Sequence, residues 1–293
     1  MKNFFFAIGL LSALALASSL SPVVNVAVTL QPYAKIVEEI GGTRVSVITM
    51  VPPNADPHSF EPKPAILKTF SKADLYFSDS SGLDQVWLPR FLSANKKIEV
   101  VYISTGISWM HHDDHDHHHH DADHHQHDAS LDPHIWTSPK QVQKLAQNIF
   151  KALVKKDPSS KSYYESQLYA FIEKWSALDQ FMEGVVAQLP KNRRTFIVFH
   201  PSYGYLARDY GLVQKTIEVE GKEPKPRDLK KLIAEAKKDD IHVVFVQPQF
   251  SKRSAEAVAA ELKAVVVSTS PLDFNIEKNL REFMQALLDA AKK

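Results

Sequence analysis

The chain has 293 residues, of which 44% are hydrophobic and 24% charged, a composition typical of a globular protein of about two domains. Its formal net charge is +1, so electrostatics gives no reason to expect binding to nucleic acid or to an anionic membrane. The sequence contains no cysteine, and we therefore expect no disulfides, no thiolate ligands and no lipid-bearing cysteine. Any bound metal must be held by histidine or carboxylate side chains.

Residues 1–17 have the features of a secretory signal peptide. Lys2 precedes an apolar run from Phe4 to Ala17, which ends in small residues. The run is about 14 residues long, whereas a membrane-spanning helix needs roughly 20, although an uncleaved anchor is the alternative. We expect export to the periplasm of a bacterium with two membranes, without a lipid anchor.

Strands and helices alternate over residues 18–158, where we predict an N-terminal lobe. This alternation predicts a mainly parallel β-sheet covered by helices on both faces. The predicted strands are Val23–Leu30, Val45–Val51, 73–80 and Ile98–Ser104, and the predicted helices are 31–42, 64–73 and 138–157.

A tract rich in histidine and aspartate, residues 111–128, interrupts this pattern. It contains ten of the fourteen histidines and has too few apolar residues to form a core. Neutral imidazoles and carboxylates are ligands for divalent metals, so we predict a metal-binding surface insertion, with a merely soluble linker as the alternative. The candidate ligands of the tract are His111, His112, His115, His117, His118, His119, His120, His124, His125 and His127.

One long helix is predicted over residues 159–190, where apolar residues recur every three or four positions from Tyr164 to Val185. A helix of this length spans roughly 45 Å at 1.5 Å per residue, and we interpret it as a rigid connector between two lobes.

The alternation of strands and helices restarts over residues 191–293, the predicted C-terminal lobe. Its predicted strands are Thr195–His200, Thr216–Gly221, Ile241–Gln247 and Ala264–Ser270, and its helices are Asp228–Lys238, Ser254–Leu262 and Ile276–Lys292.

Three of the four remaining histidines lie near predicted strand ends: His58, His134 and His200. Ligands of open α/β sheets bind beyond the carboxyl ends of strands, so these three could meet in a cleft between the lobes. Three imidazoles and one oxygen ligand suit tetrahedral Zn²⁺, although imidazole alone does not exclude copper or nickel. The fourth ligand would be Asp273 or water. We interpret His242, at the start of a strand, as structural or solvent-exposed.

Several sequence motifs resemble the zinc-binding periplasmic components of bacterial ABC importers, the ZnuA-type proteins of the cluster A-I metal receptors. They are PPNADPHSFEPKPA, LDPHIWTSP after the histidine-rich tract, FHPSYGYLARDYGL, GKEPKPRDLKKLI and VFVQPQFSKRSAEAVA. The resemblance implies two α/β lobes joined by a rigid helix, with the metal between them on His58, His134 and His200. Manganese receptors of the family typically have a carboxylate at the third position, so His200 favours zinc.

The sequence departs from the family pattern at three positions. Pro57 replaces an acidic residue, Gln247 replaces a glutamate, and Asp273 comes later than the usual aspartate of the terminal turn. Water or a histidine of the tract could therefore take the fourth position instead of Asp273. The resemblance implies a monomeric receptor that delivers Zn²⁺ to a membrane permease with its ATPase. A manganese or iron receptor of the same fold and a histidine-tract metal buffer are the alternatives. We do not expect an enzyme, because the metalloprotease motif HExxH is absent. Glu61 is the only acid near a proposed ligand that we consider as a catalytic base, and no other feature of the sequence marks it for that role.

Overall fold

The computed structural model describes residues 24–53, 55–111, 131–219 and 221–292. The predicted signal peptide and every histidine of the tract except His111 lie outside the described residues. Within these ranges, none of the helices is long and apolar enough to span a membrane.

The N-terminal lobe is a four-stranded parallel sheet with the strand order β2-β1-β3-β4. Both central strands are largely apolar and buried, as expected for a parallel sheet with helices on both faces. The elements are β1 (Val24–Val28), α1 (Gln31–Gly41), β2 (Val45–Thr49), α2 (Pro64–Phe70), β3 (Leu75–Ser78), α3 (Gly82–Ala94), β4 (Glu99–Tyr102) and α4 (Pro139–Lys156).

The C-terminal lobe repeats this topology, with the strand order β6-β5-β7-β8 and all pairs parallel. Two α/β lobes with parallel sheets were predicted from the sequence, and the structure confirms them. The elements are β5 (Thr195–Val198), α6 (Gly204–Tyr210), β6 (Val213–Thr216), α7 (Pro226–Ala236), β7 (Val243–Val246), α8 (Lys252–Leu262), β8 (Val265–Ser268) and α9 (Ile276–Ala291).

Between the lobes runs α5 (Lys161–Gln188), a helix of 28 residues that is about 42 Å long at 1.5 Å per residue. It packs against α1 and α4 on one side and against α9 of the other lobe. The buried aromatic residues Phe171 and Trp175 stack on each other within this contact. One hydrophobic cluster therefore extends from β1 through α5 into β5, β7 and α9.

The strand predicted at Thr216–Gly221 is wrong, because the sheet uses Val213–Thr216 instead. Thr195 pairs with Val213, and this register places the end of β6 where the predicted strand begins. The helices α3 and α6 were not predicted. The first lacks a one-sided apolar stripe and contains Pro89, while α6 has seven residues, too few for periodicity to be recognised.

Candidate metal site

Three loops at the carboxyl ends of strands bring His58, His134 and His200 together. His58 lies in the loop between β2 and α2, where Asp56 accepts its backbone N–H at 3.0 Å. His134 lies just before α4, and His200 comes two residues after β5. His58 is exposed, His200 is half-buried and His134 is only 5% exposed, so the cluster lies at the floor of an accessible cleft.

The three imidazoles place their ligand nitrogens within 4.8 Å of one another. The Nε2 atoms of His58 and His200 are 3.2 Å apart, and those of His200 and His134 are 3.3 Å apart. For tetrahedral zinc with Zn–N bonds of about 2.05 Å, neighbouring nitrogens are separated by about 3.3 Å. Two of the three separations therefore equal the edge of a tetrahedral site, and all three ligand atoms lie within 4.8 Å of one another.

A carboxylate orients the imidazole of each of the two less exposed histidines. Asp132 Oδ1 accepts Nδ1–H of His134 at 2.7 Å, and Glu218 Oε1 accepts Nδ1–H of His200 at 2.9 Å. Because the hydrogen lies on Nδ1, Nε2 keeps the lone pair that a metal requires. Neither carboxylate was predicted from the sequence, although the position of Asp132 two residues before His134 was an available signal.

Gln247 fixes the backbone on which His200 is carried. Its side chain is 1% exposed, its Nε2 donates to the carbonyl of His200 at 2.8 Å, and its Oε1 accepts the His200 backbone N–H at 3.2 Å. Nε2 also donates to Ser202 Oγ at 2.9 Å. An amide satisfies both groups because it donates and accepts, whereas an ionised glutamate only accepts. The amide of Gln247 therefore matches the donors and acceptors around it.

Burial keeps the imidazole of His134 in its neutral form, which is the form that binds a metal ion. It lowers the pKa of His134 to about 4, against the opposing effect of Asp132. The imidazole is therefore neutral at pH 7 and does not have to lose a proton before it binds metal.

Asp273, the proposed fourth ligand, does not join this cluster among the described residues. It is exposed, and its Oδ1 accepts the backbone N–H of Asn275 at 2.7 Å. Its own N–H bonds to Ser270 O at 3.0 Å in the turn after β8, and this turn directs the preceding Leu272 into the cleft instead.

A cavity of about 370 Å³ adjoins the three histidines. Apolar side chains such as Trp87, Phe250 and Leu272 line much of it, together with Asp79. Asp79 is buried, and burial and the neighbouring Asp84 raise its pKa. The cavity has ample room for water as a remaining metal ligand, since one water occupies about 30 Å³ of liquid volume.

The lobes meet around this cleft through hydrogen bonds between their loops. Trp136 Nε1 donates to Pro271 O at 2.7 Å. Asp209, on α6, accepts from Ser138 Oγ and from Gln141 Nε2, each at 2.6 Å, at the start of α4. The segment that follows His134 is thus bonded to the C-terminal lobe at two places.

Known proteins with similar sequences include zinc and manganese transport components. The chain is 32% identical over 254 residues to the high-affinity zinc uptake system protein ZnuA of Bacillus subtilis, covering 85% of this chain and 78% of that protein. It is 27% identical over 219 residues to the manganese-binding lipoprotein MntA of Halalkalibacterium halodurans, covering 74% and 68% respectively.

Solved structures of ZnuA have the same fold. The crystal structure of ZnuA is 38% identical with a TM-score of 0.83, covering 92% of this chain and 99% of that one. A zinc-bound deletion mutant of ZnuA has a TM-score of 0.82 at the same identity, covering 92% and 98%. Residues 26–293 match the family described as the zinc-uptake complex component A, periplasmic, and the chain therefore belongs to this family of metal-binding ABC-transporter substrate-binding proteins.

Proposed function

We propose that the chain is a high-affinity Zn²⁺ receptor that holds zinc on His58, His134 and His200. The observation that carries the proposal is that His200 Nε2 lies 3.2 Å from His58 Nε2 and 3.3 Å from His134 Nε2, both at the edge length of a tetrahedral zinc site. Three nitrogen ligands with no carboxylate in the group favour zinc over manganese, which prefers oxygen ligands and higher coordination numbers.

In this proposal water is the fourth ligand, and the receptor acts as a monomer that passes zinc to an ABC permease driven by its ATPase. The name of the Bacillus subtilis relative supports zinc uptake, whereas the manganese-binding relative makes the identity of the metal the point to test. Members of the family work in the periplasm or outside the cell. The absence of a lipid anchor stays a prediction, since the manganese-binding relative is a lipoprotein.

The histidine-rich tract is proposed to collect zinc at lower affinity and to supply the cleft. Its position immediately before His134 motivates this role. If replacing residues 112–130 by a short turn left zinc uptake by cells unchanged at limiting zinc, the collecting role would be excluded.

The test is a zinc titration of the mature protein and of the same protein with residues 112–130 replaced by an Asn-Gly turn. We expect one tight site to persist in the shortened protein and to disappear in His58→Ala, His134→Ala or His200→Ala. His242→Ala is the matched control, because His242 bonds to Asp240 away from the cleft. Loss of tight binding with the tract would instead indicate a metal buffer.

X-ray absorption of the bound metal separates zinc from manganese receptors. Since zinc binds most nitrogen sites more tightly than manganese, affinity alone is not decisive. We expect four-coordinate zinc with three imidazoles, and five or six mainly oxygen ligands around the metal isolated from cells would contradict the proposal. A sedimentation measurement on the zinc-loaded protein tests the monomeric state.

A further inference from the structure

The short helix α6 begins four residues after His200 and lies against the two chain segments that flank residues 112–130. These segments pair through a bridge between His111 and Leu131, and the backbone N–H of Asp132 donates to Met110 O at 2.8 Å. We call residues 108–111 and 131–134 the stem. The stem ends at His134, one of the three candidate ligands.

Tyr205 of α6 binds both halves of the stem through a single oxygen. Its Oη accepts the backbone N–H of Met110 at 3.1 Å and donates to the carbonyl of Asp132 at 2.9 Å. The side chain is buried, and burial raises the pKa of Tyr205 to about 12, so the hydroxyl retains the hydrogen that it donates. One turn later, Arg208 donates to Ser108 O at 2.8 Å and lies 4.8 Å above the Tyr205 ring.

Asp132 connects this helix to the metal site. Its carbonyl is the group that Tyr205 binds, while its Oδ1 accepts both the backbone N–H of His134 at 2.9 Å and the imidazole Nδ1–H at 2.7 Å. The first residue of α6 also abuts this carboxylate, since a Cβ on Gly204 would lie 2.6 Å from Asp132 Oδ2.

We propose that Tyr205 is a positioning residue for zinc binding, which acts on His134 through Asp132. By holding the main chain of Asp132, the tyrosine sets where the carboxylate meets the imidazole and therefore where His134 Nε2 points. This inference rests on the proposed function, because it takes His134 as a ligand. The alternative is that Tyr205 only packs α6 against the stem.

Tyr205→Phe tests the inference, because it removes both hydrogen bonds and keeps the ring. Zinc affinity is measured by chelator competition in the full chain and again with residues 112–130 replaced by the Asn-Gly turn. The second measurement gives the affinity of the cleft without a contribution from those residues. Tyr210→Phe is the matched control, since Tyr210 also lies on α6 and bonds to Asp179 of α5 instead. Visible absorption of bound Co²⁺ reports ligand geometry in each variant.

We expect Tyr205→Phe to weaken zinc binding about tenfold and to alter the Co²⁺ spectrum, as loss of outer hydrogen bonds typically does. Tyr210→Phe should change the affinity by no more than about twofold. Adding Tyr205→Phe to Asp132→Asn should cost no further affinity, because the tyrosine acts through the carboxylate. A purely packing role would instead leave both the affinity and the spectrum of Tyr205→Phe unchanged, because the variant keeps the ring.

A second variant reaches the same carboxylate without removing a hydrogen bond. Gly204→Ala forces Asp132 Oδ2 to move, and we expect it too to weaken zinc binding, which keeps the test usable if Tyr205→Phe folds poorly. Tight, His134-dependent binding that is unchanged in both variants would overturn this inference alone. Absence of a tight His134-dependent site in the parent protein would overturn the proposed function and this inference with it.

Discussion

Replacing Gln247 by glutamate should destabilise the folded protein although the two side chains have nearly the same shape. The amide Nε2 donates to His200 O and to Ser202 Oγ, at 2.8 and 2.9 Å, in a position that is 1% exposed. An ionised carboxylate donates neither bond and places an oxygen against a carbonyl oxygen.

The magnitude follows from the groups left without a donor. A buried polar group that loses its partner costs about 1–3 kcal/mol. The His200 carbonyl has no freedom to turn away, whereas the Ser202 hydroxyl can rotate to donate instead, so we expect a loss of about 2–3 kcal/mol for Gln247→Glu. For a chain of this size that corresponds to a fall in Tm of roughly 4–12 °C.

Urea and thermal unfolding of the metal-free protein at pH 7.5 and pH 5 measure this effect. A protonated carboxyl regains one donor, so the destabilisation should shrink at the lower pH. Gln249→Glu is the control, since Gln249 is half-buried and lies two residues further along. If Gln247→Glu and Gln249→Glu lowered stability equally, the role assigned to the amide would be refuted.

Three further variants test the site and its surroundings. Glu218→Gln should weaken zinc binding about 10- to 100-fold in a competition titration, because His200 loses the carboxylate that fixes its tautomer; an unchanged affinity would exclude that role. Asp273→Ala should leave zinc affinity unchanged, and a loss of about tenfold or more would restore Asp273 as a ligand. Burial and Asp84 raise the pKa of Asp79, so the folded state binds this proton more tightly than the unfolded state, and stability is lost as the pH rises from about 4 towards 8. Asp79→Asn should flatten that decline in urea unfolding, and a profile identical to that of the parent would contradict the assignment.

Periodicity predicted much of the fold because long elements repeat one environment over many residues. β1 is buried along nearly all of its length, and the apolar spacing of α5 continues from Tyr164 to Val185. Short elements lack that redundancy. β6 has only four residues, with Gln214 and Lys215 at its centre, and its place is set by pairing with β5 rather than by its own composition.

The candidate ligands were predictable because histidines are few outside the tract, and because His58 and His200 follow recognisable strands while His134 comes directly after the tract. The carboxylate partner of His200 was not, because Glu218 meets His200 only after the loop beyond β6 folds back. Asp273, by contrast, was predicted as a ligand but does not join the three histidines among the described residues. It is the nearest carboxylate in sequence to the last strand, but the turn after β8 uses its oxygen for the backbone of Asn275.

The hydrophobic cluster that runs through α5 makes the two lobes one thermodynamic unit. Phe171 and Trp175 lie in the same packed core as Val26 of one sheet and Phe245 of the other, so we expect heating to unfold the two lobes together. Calorimetry should accordingly record a single cooperative transition. Zinc bound in the cleft would then raise the free energy of unfolding of both lobes. Hydrogen exchange of core amides far from the metal should slow by the same factor as that of core amides near it.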